Sequence, residues 1–97
     1  MSAEAAQETL RFSASANVRA CELDGELVLL DIIRGEYFGL GDLGSKAWAR
    51  LADGQPVVEI ARELVDVYEV ELPVLVRDLL SFARELRNAG LLVGRAP

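Results

Sequence analysis

Residues 24–42 read Asp24-Gly25-Glu26-Leu27-Val28-Leu29-Leu30-Asp31-Ile32-Ile33-Arg34-Gly35-Glu36-Tyr37-Phe38-Gly39-Leu40-Gly41-Asp42, and the apolar pattern changes its period at the end of this stretch. Asp24-Gly25 is a hairpin signal, because both central positions of a two-residue strand-joining turn favour positive φ. On one side of it Val18 to Leu23 shows some alternation; on the other Glu26 to Ile33 is rich in Val, Leu and Ile. The second of these reads as a strand buried on at least one face. Arg34-Gly35 makes another turn, and Glu36 to Leu40 is a short third strand. Leu10 to Ser13 is a candidate for an earlier extended piece. The expectation is a three-stranded antiparallel meander.

After Gly41 the spacing is helical. Asp42 is a candidate N-cap, with Leu43, Ala47, Trp48 and Leu51 on one face and Gly54 as the stop. Pro56 takes the first-turn position that proline favours, and Val57, Ile60, Ala61, Leu64 and Tyr68 mark a second helix. Pro73 opens a third helix in the same way. Asn88-Ala89-Gly90 closes it, with Gly90 as a left-handed cap and Leu91 as the apolar residue that follows such caps. The expected fold is α+β and winged helix-turn-helix-like: a three-stranded antiparallel sheet followed by three helices. It makes a single domain over residues 1–97, with 1–9 and 94–97 as flexible tails.

Composition removes most chemistry. The 97 residues include no His and one Cys. A Ser-His-Asp or Cys-His pair is excluded, as are His-ligated zinc, Cys clusters and an internal disulfide. Gly39-x-Gly41 does not continue into a phosphate-binding glycine loop. Cys21 has no activating neighbour in sequence and reads as an ordinary thiol. Trp48 reads as core. Glu59, Glu63 and Asp66 read as a solvated acidic face or a docking surface for a basic partner. No enzyme, metal or cofactor is expected. Ten Lys and Arg stand against 16 Asp and Glu, a net charge of −6, which argues against nucleic acid. Met1 to Thr9 lacks a signal-peptide pattern, and the longest apolar run is Leu27 to Leu30. A cytoplasmic location off the membrane is expected.

The third helix is more apolar than packing on a small sheet requires. On a wheel, Ala89, Phe82, Leu75, Leu86 and Leu79 fill a stripe adequate for a core. Ala83, Val76 and Leu80 extend it to an arc of roughly 180°, bordered by Arg87 and Arg84. Either the second helix covers the extra flank, or the flank is an open groove for an apolar ligand or peptide. The third strand, with one charge and no Lys or Pro, also leaves an edge that an extended peptide could pair with.

Glu36-Tyr37-Phe38-Gly39-Leu40, Gly44, Trp48 and Leu51-Ala52-Asp53-Gly54 resemble the first half of the PqqD-like family. Ile60, Leu64, Tyr68, Val76-Arg77-Asp78-Leu79, Phe82, Leu86 and Gly90-Leu91 resemble its second half. These are RiPP recognition elements, the leader-binding modules of ribosomally made, modified peptides. Leu29-Leu30-Asp31 with Gly35 to Leu40 is most similar to the stand-alone form from lasso-peptide clusters. The resemblance implies a non-enzymatic protein that binds a precursor leader as an added antiparallel strand between the third strand and third helix. It implies a leader of Tyr-x-x-Pro type whose rings enter an apolar pocket. It further implies delivery to a transglutaminase-like leader peptidase and a macrolactam cyclase.

By the same resemblance Glu36, Tyr37, Phe38, Gly39 and Leu40 pair with the leader, and Val76, Leu79, Leu80 and Ala83 line the pocket. Asp78 either bonds the leader or serves a local network. Arg84 and Arg87 border the arc, where acidic leader residues could meet them. Two other readings stay open. One is a winged-helix nucleic-acid binder, although Leu75 to Arg87 carries only three Arg against Asp78 and Glu85. The other is a small homodimerisation domain that uses the open edge on itself.

Overall fold

The computed structural model describes residues 10–95. Its elements run β1 (Arg11–Ala14), β2 (Val18–Leu23), β3 (Glu26–Asp31), β4 (Glu36–Gly39), α1 (Asp42–Ala52), α2 (Val57–Tyr68), α3 (Leu72–Asn88) and β5 (Leu92–Arg95). The expected meander is β2-β3-β4, antiparallel throughout, so the strand at Glu36 is the fourth in the chain and the third of its sheet. With three helices behind it, the fold is α+β as the periodicity implied.

The turns follow local chemistry. Asp24 and Gly25 both take positive φ, 52° and 82°, which sets Leu23 opposite Glu26. After α3, Gly90 is left-handed at φ 82°; its N–H donates to the Arg87 carbonyl and that of Leu91 to Leu86, closing a Schellman cap. Leu91 is then fully buried.

Four details depart from the sequence reading. First, β3 ends at Asp31, not Ile33. The Asp31 carboxylate is buried and accepts the N–H groups of Ile33 and Arg34, each at 3.0 Å, which turns the chain and leaves both isoleucines exposed. Second, Gly41 is the N-cap of α1 and Asp42 its first residue. The Asp42 carboxylate serves neighbours instead: Tyr68 Oη donates to it at 2.6 Å and Lys46 Nζ at 3.2 Å. Third, Pro56 is the N-cap of α2, and α3 begins at Leu72, one residue before Pro73. Fourth, β1 pairs with β5 in a separate two-stranded sheet, Arg11 opposite Arg95. Gly94 and Arg95, expected in a tail, therefore lie in a strand, whereas the tail at 1–9 lies outside the described residues.

One core joins these layers. Phe12 of β1, Leu29 of β3, Leu51 of α1, Ile60 of α2, Leu75 and Leu79 of α3 and Leu92 of β5 are all buried in it. Polar ties fix α1 to α2: Arg50 Nε meets Glu63 at 2.7 Å, and Gln55 Nε2 donates to the same carboxylate. Glu63, read from sequence as part of a solvated acidic face, is thus a cross-link, and the Arg50 bond lowers its pKa. Among the described residues no helix is long and apolar enough to cross a membrane.

Two outcomes are expected. Removing a buried acceptor leaves its donors unpaired, so Asp31→Ala lowers stability by about 2 kcal/mol in urea titration. The Tyr68 hydrogen bond, then that of Lys46, holds the Asp42 carboxyl below the usual aspartate pKa. A depressed carboxylate pKa stabilises the fold above the unfolded-state value and ceases to as pH falls through the folded one. Tyr68→Phe moves the Asp42 titration upward in a carboxyl NMR experiment and flattens the acid limb of stability.

Candidate functional site

Hydrogen bonding across the meander alternates, which shows where free groups point. The Ile32 N–H donates to Asn17 O, so alternate residues of β3 bond β2; the Leu40 N–H donates to Leu27 O at 2.9 Å, so Leu27, Leu29 and Asp31 bond the β4 side. Phe38 and Glu36 are therefore the β4 residues whose main chain faces β3. Tyr37 and Gly39 direct their N–H and C=O groups away from it, along the outer edge. Side chains alternate the other way. Phe38 and Glu36 share the inner face with buried Leu29 and Asp31, while Tyr37, 75% exposed, lies on the outer face beside Leu30.

Helix α3 runs beside this edge in the opposite direction. Near the end of β4, the Phe82 ring rests on α1 at Gly44, where an added Cβ would lie 2.8 Å from Phe82 Cζ and 3.3 Å from Leu40 Cβ. Near its start, Arg34 in the β3–β4 turn donates to the Ala89 carbonyl at 3.5 Å. Four strand steps from Glu36 to Leu40 cover about 13 Å, and the helix from Phe82 to Ala89 about 10 Å. β4 and α3 are not among the closely packed pairs of elements. The α3 residues Asp78, Phe82, Glu85 and Ala89, spaced i, i+4, i+7, i+11, share one flank of the helix, the flank on which Phe82 meets Gly44. Phe38, Phe82 and Ala89 are partly buried apolar residues packed against the core.

The anchoring at Leu40 is polar as well. Ser45 Oγ accepts the Leu27 N–H and donates to the Leu40 carbonyl, replacing the second bond of that strand pair with a bridge from α1. Leu40 itself is buried.

Glu36, Tyr37, Phe38, Gly39 and Leu40 follow one another along β4 and its end, and Asp78 lies on α3 one turn before Phe82. Val76, Leu79, Leu80 and Ala83 are core residues, none more than 8% exposed. Of the two arrangements open for that flank, the covered one is observed, and α2 is the helix packed against α3. Arg84 and Arg87 lie roughly 160° and 140° round the helix from Phe82. Asp78 is half-exposed, with Arg77 3.7 Å away. In the helical pattern of the sequence Phe82 and Ala89 are core positions and Glu85 has no role. The available signal was Gly44, a glycine in a helix beside a large ring. Cys21 is exposed, and among the described residues no three Cys, Asp or Glu are grouped to hold a metal.

The pattern of a known family, described as coenzyme PQQ synthesis protein D (PqqD), matches residues 26–92, from β3 to the start of β5. The chain belongs to the PqqD family. Two solved structures are similar to this PqqD-family chain over nearly their whole length. One is TbiB1 in complex with the TbiA(beta) leader peptide, 39% identical, covering 88% of this chain and 99% of its own, with TM-score 0.77. The other is a lasso peptide synthetase B1 complexed with the leader peptide, 30% identical over 86% and 98%, with TM-score 0.79. No curated protein matches the chain.

Overpacking the wall tests the geometry. In Gly44→Ala the new methyl displaces the Phe82 ring, at a cost of about 1–3 kcal/mol against roughly 1 gained in helix propensity. Loss of Phe82–Gly44 NOEs, with stability recovered in Gly44→Ala/Phe82→Leu, is the expected result.

Proposed function

We propose that this chain is a non-enzymatic recognition module that binds the leader of a ribosomally made precursor peptide and presents it for processing in lasso-peptide biosynthesis. The observation that carries the reading is the free edge of β4 lying beside the partly exposed Phe82–Ala89 ridge of α3. Its similarity to two proteins held with leader peptides supports the same reading.

A peptide added antiparallel to β4 pairs with the main chain of Tyr37 and Gly39. Four such bonds contribute roughly 2–6 kcal/mol net. Ordering five peptide residues costs about 5–10 kcal/mol. Backbone pairing alone therefore does not hold the strand, and apolar burial decides binding. Every second peptide side chain falls on the inner face, against Phe38, Phe82 and Ala89, where rings of a Tyr-x-x-Pro leader bury most area. Val76, Leu79, Leu80 and Ala83 back this wall through packing. The peptide N-terminal end lies near Leu40 and its C-terminal end near Arg34-Gly35. The segment to be processed leaves at that turn, towards a leader peptidase and then a cyclase, in the cytoplasm. The acidic ridge gives duplex phosphates no seat, which disfavours the nucleic-acid reading.

Gly39→Pro tests strand addition selectively. Its N–H faces the outer edge, so the β3 ladder keeps its bonds while the added strand loses a donor and meets the ring. Titration calorimetry with a leader of the kind bound by the two similar proteins is expected to show at least about tenfold weaker binding, with unchanged circular dichroism. Equal affinity for both forms would refute pairing at this edge.

A further inference from the structure

The outer face of the meander is apolar where it meets the free edge. On β4 only Tyr37 and Gly39 belong to that face, and the ladder sets Tyr37 beside Leu30 and Gly39 beside Val28. Val28 and Leu30 are half-buried, and Tyr37 is 75% exposed, the most exposed large apolar side chain among the described residues. Gly39 needs a separate account. A glycine within a strand weakens it, and it often marks a bulge or a place where a ligand or another backbone comes close. Here the pairing of β3 with β4 runs through Gly39 without a bulge. Its φ is not positive, and nothing lies within 4 Å of where its Cβ would be. No turn and no close approach within the protein therefore requires the glycine. What it leaves is a notch on the outer face, with the Tyr37 ring at one side, Val28 behind and bare backbone as the floor.

We propose that this notch is a second subsite for the bound peptide, taking one large apolar side chain from the outward-facing row of the added strand. This rests on the leader-binding reading above. Tyr37 and Gly39 direct their main-chain groups to the edge, so the peptide residues opposite them form hydrogen-bonded pairs. Directly paired residues share a face, which puts those two peptide side chains on the outer one. The residue opposite Gly39 meets no side chain. Its own folds across the bare glycine towards Val28 and against the Tyr37 ring, its diagonal neighbour. A polar side chain at that position leaves the ring and Val28 in water. The inner-facing row still supplies most of the buried area. The notch adds register, because sliding the strand by two residues keeps every face but carries the large side chain off Gly39.

The test uses the full chain and the TbiA(beta) leader peptide as parent, each peptide position replaced in turn by Leu and by Gln. Affinities are read by fluorescence anisotropy with the unaltered protein, Tyr37→Ala and Tyr37→Phe. Tyr37 is exposed, so both variants keep the fold. One peptide position is expected to prefer Leu over Gln by roughly two- to fivefold more with the unaltered protein than with Tyr37→Ala. Tyr37→Phe keeps that preference, because the ring and not the hydroxyl makes the contact. Positions at odd spacing from it face inward, and their preferences are the same in all three proteins. A Tyr37→Ala variant that binds every peptide as before, or weakens all of them alike, overturns the second subsite and leaves leader binding standing. Failure of every peptide, the parent included, to bind the unaltered protein overturns leader binding itself.

Discussion

The ring of Phe82 lies on the bare backbone of α1 at Gly44, and this contact decides how α3 stands relative to the edge of β4. With no Cβ in the way, the ring settles against Gly44 and Leu40. One residue further on, Ser45 bridges the Leu27 N–H and the Leu40 carbonyl. The first turn of α1 therefore positions both walls of the groove, the helix through a ring and the strand through a hydroxyl. At the other end Arg34 spans from the β3–β4 turn to the last carbonyl region of α3. Strand and helix are thus tied near both ends.

A three-stranded sheet of this kind has two edges, and they differ. The edge strand β2 carries Arg19 and Glu22, and all of it after Val18 is exposed. The edge of β4 carries Glu36 alone and has a helix beside it. An unpaired edge invites another strand, and natural sheets usually blunt such an edge with charge, proline or cover. Here α3 covers only one side of the edge and offers apolar surface there. An added strand finds main-chain partners at Tyr37 and Gly39 and something for its side chains to bury against. That combination is what a recognition site for an extended peptide needs, because backbone bonds alone do not offset the entropy of ordering the peptide.

Much of the architecture was legible from local patterns. The Asp24-Gly25 turn, the left-handed Gly90 cap and the three amphipathic helices all follow from rules that act within a few residues. Errors came where a partner lies far along the chain. Leu92 to Arg95 is too short to announce a strand, and its pairing with Arg11 to Ala14 joins the two ends of the described chain. Asp42 looked like a cap because its neighbours in sequence allow one, yet Tyr68 of α2 claims its carboxylate. Ile32 and Ile33 looked like strand because they are β-branched, yet the buried Asp31 carboxylate turns the chain before them.

The same division runs through the site. By itself the sequence determined that the chain has no histidine chemistry, that one strand edge is unblunted, and that α3 has more apolar surface than a small sheet requires. A helical wheel has no reference direction, so it could not say which flank of that surface faces the strand. Only the tertiary structure decided this. α2 packs on α3, Val76, Leu80 and Ala83 lie buried, and Phe82 turns to Gly44 and Leu40 at the end of β4. The rotation of the helix is set by contacts between elements far apart in sequence, the Phe82 ring on Gly44 among them, and its side chains go wherever that rotation carries them.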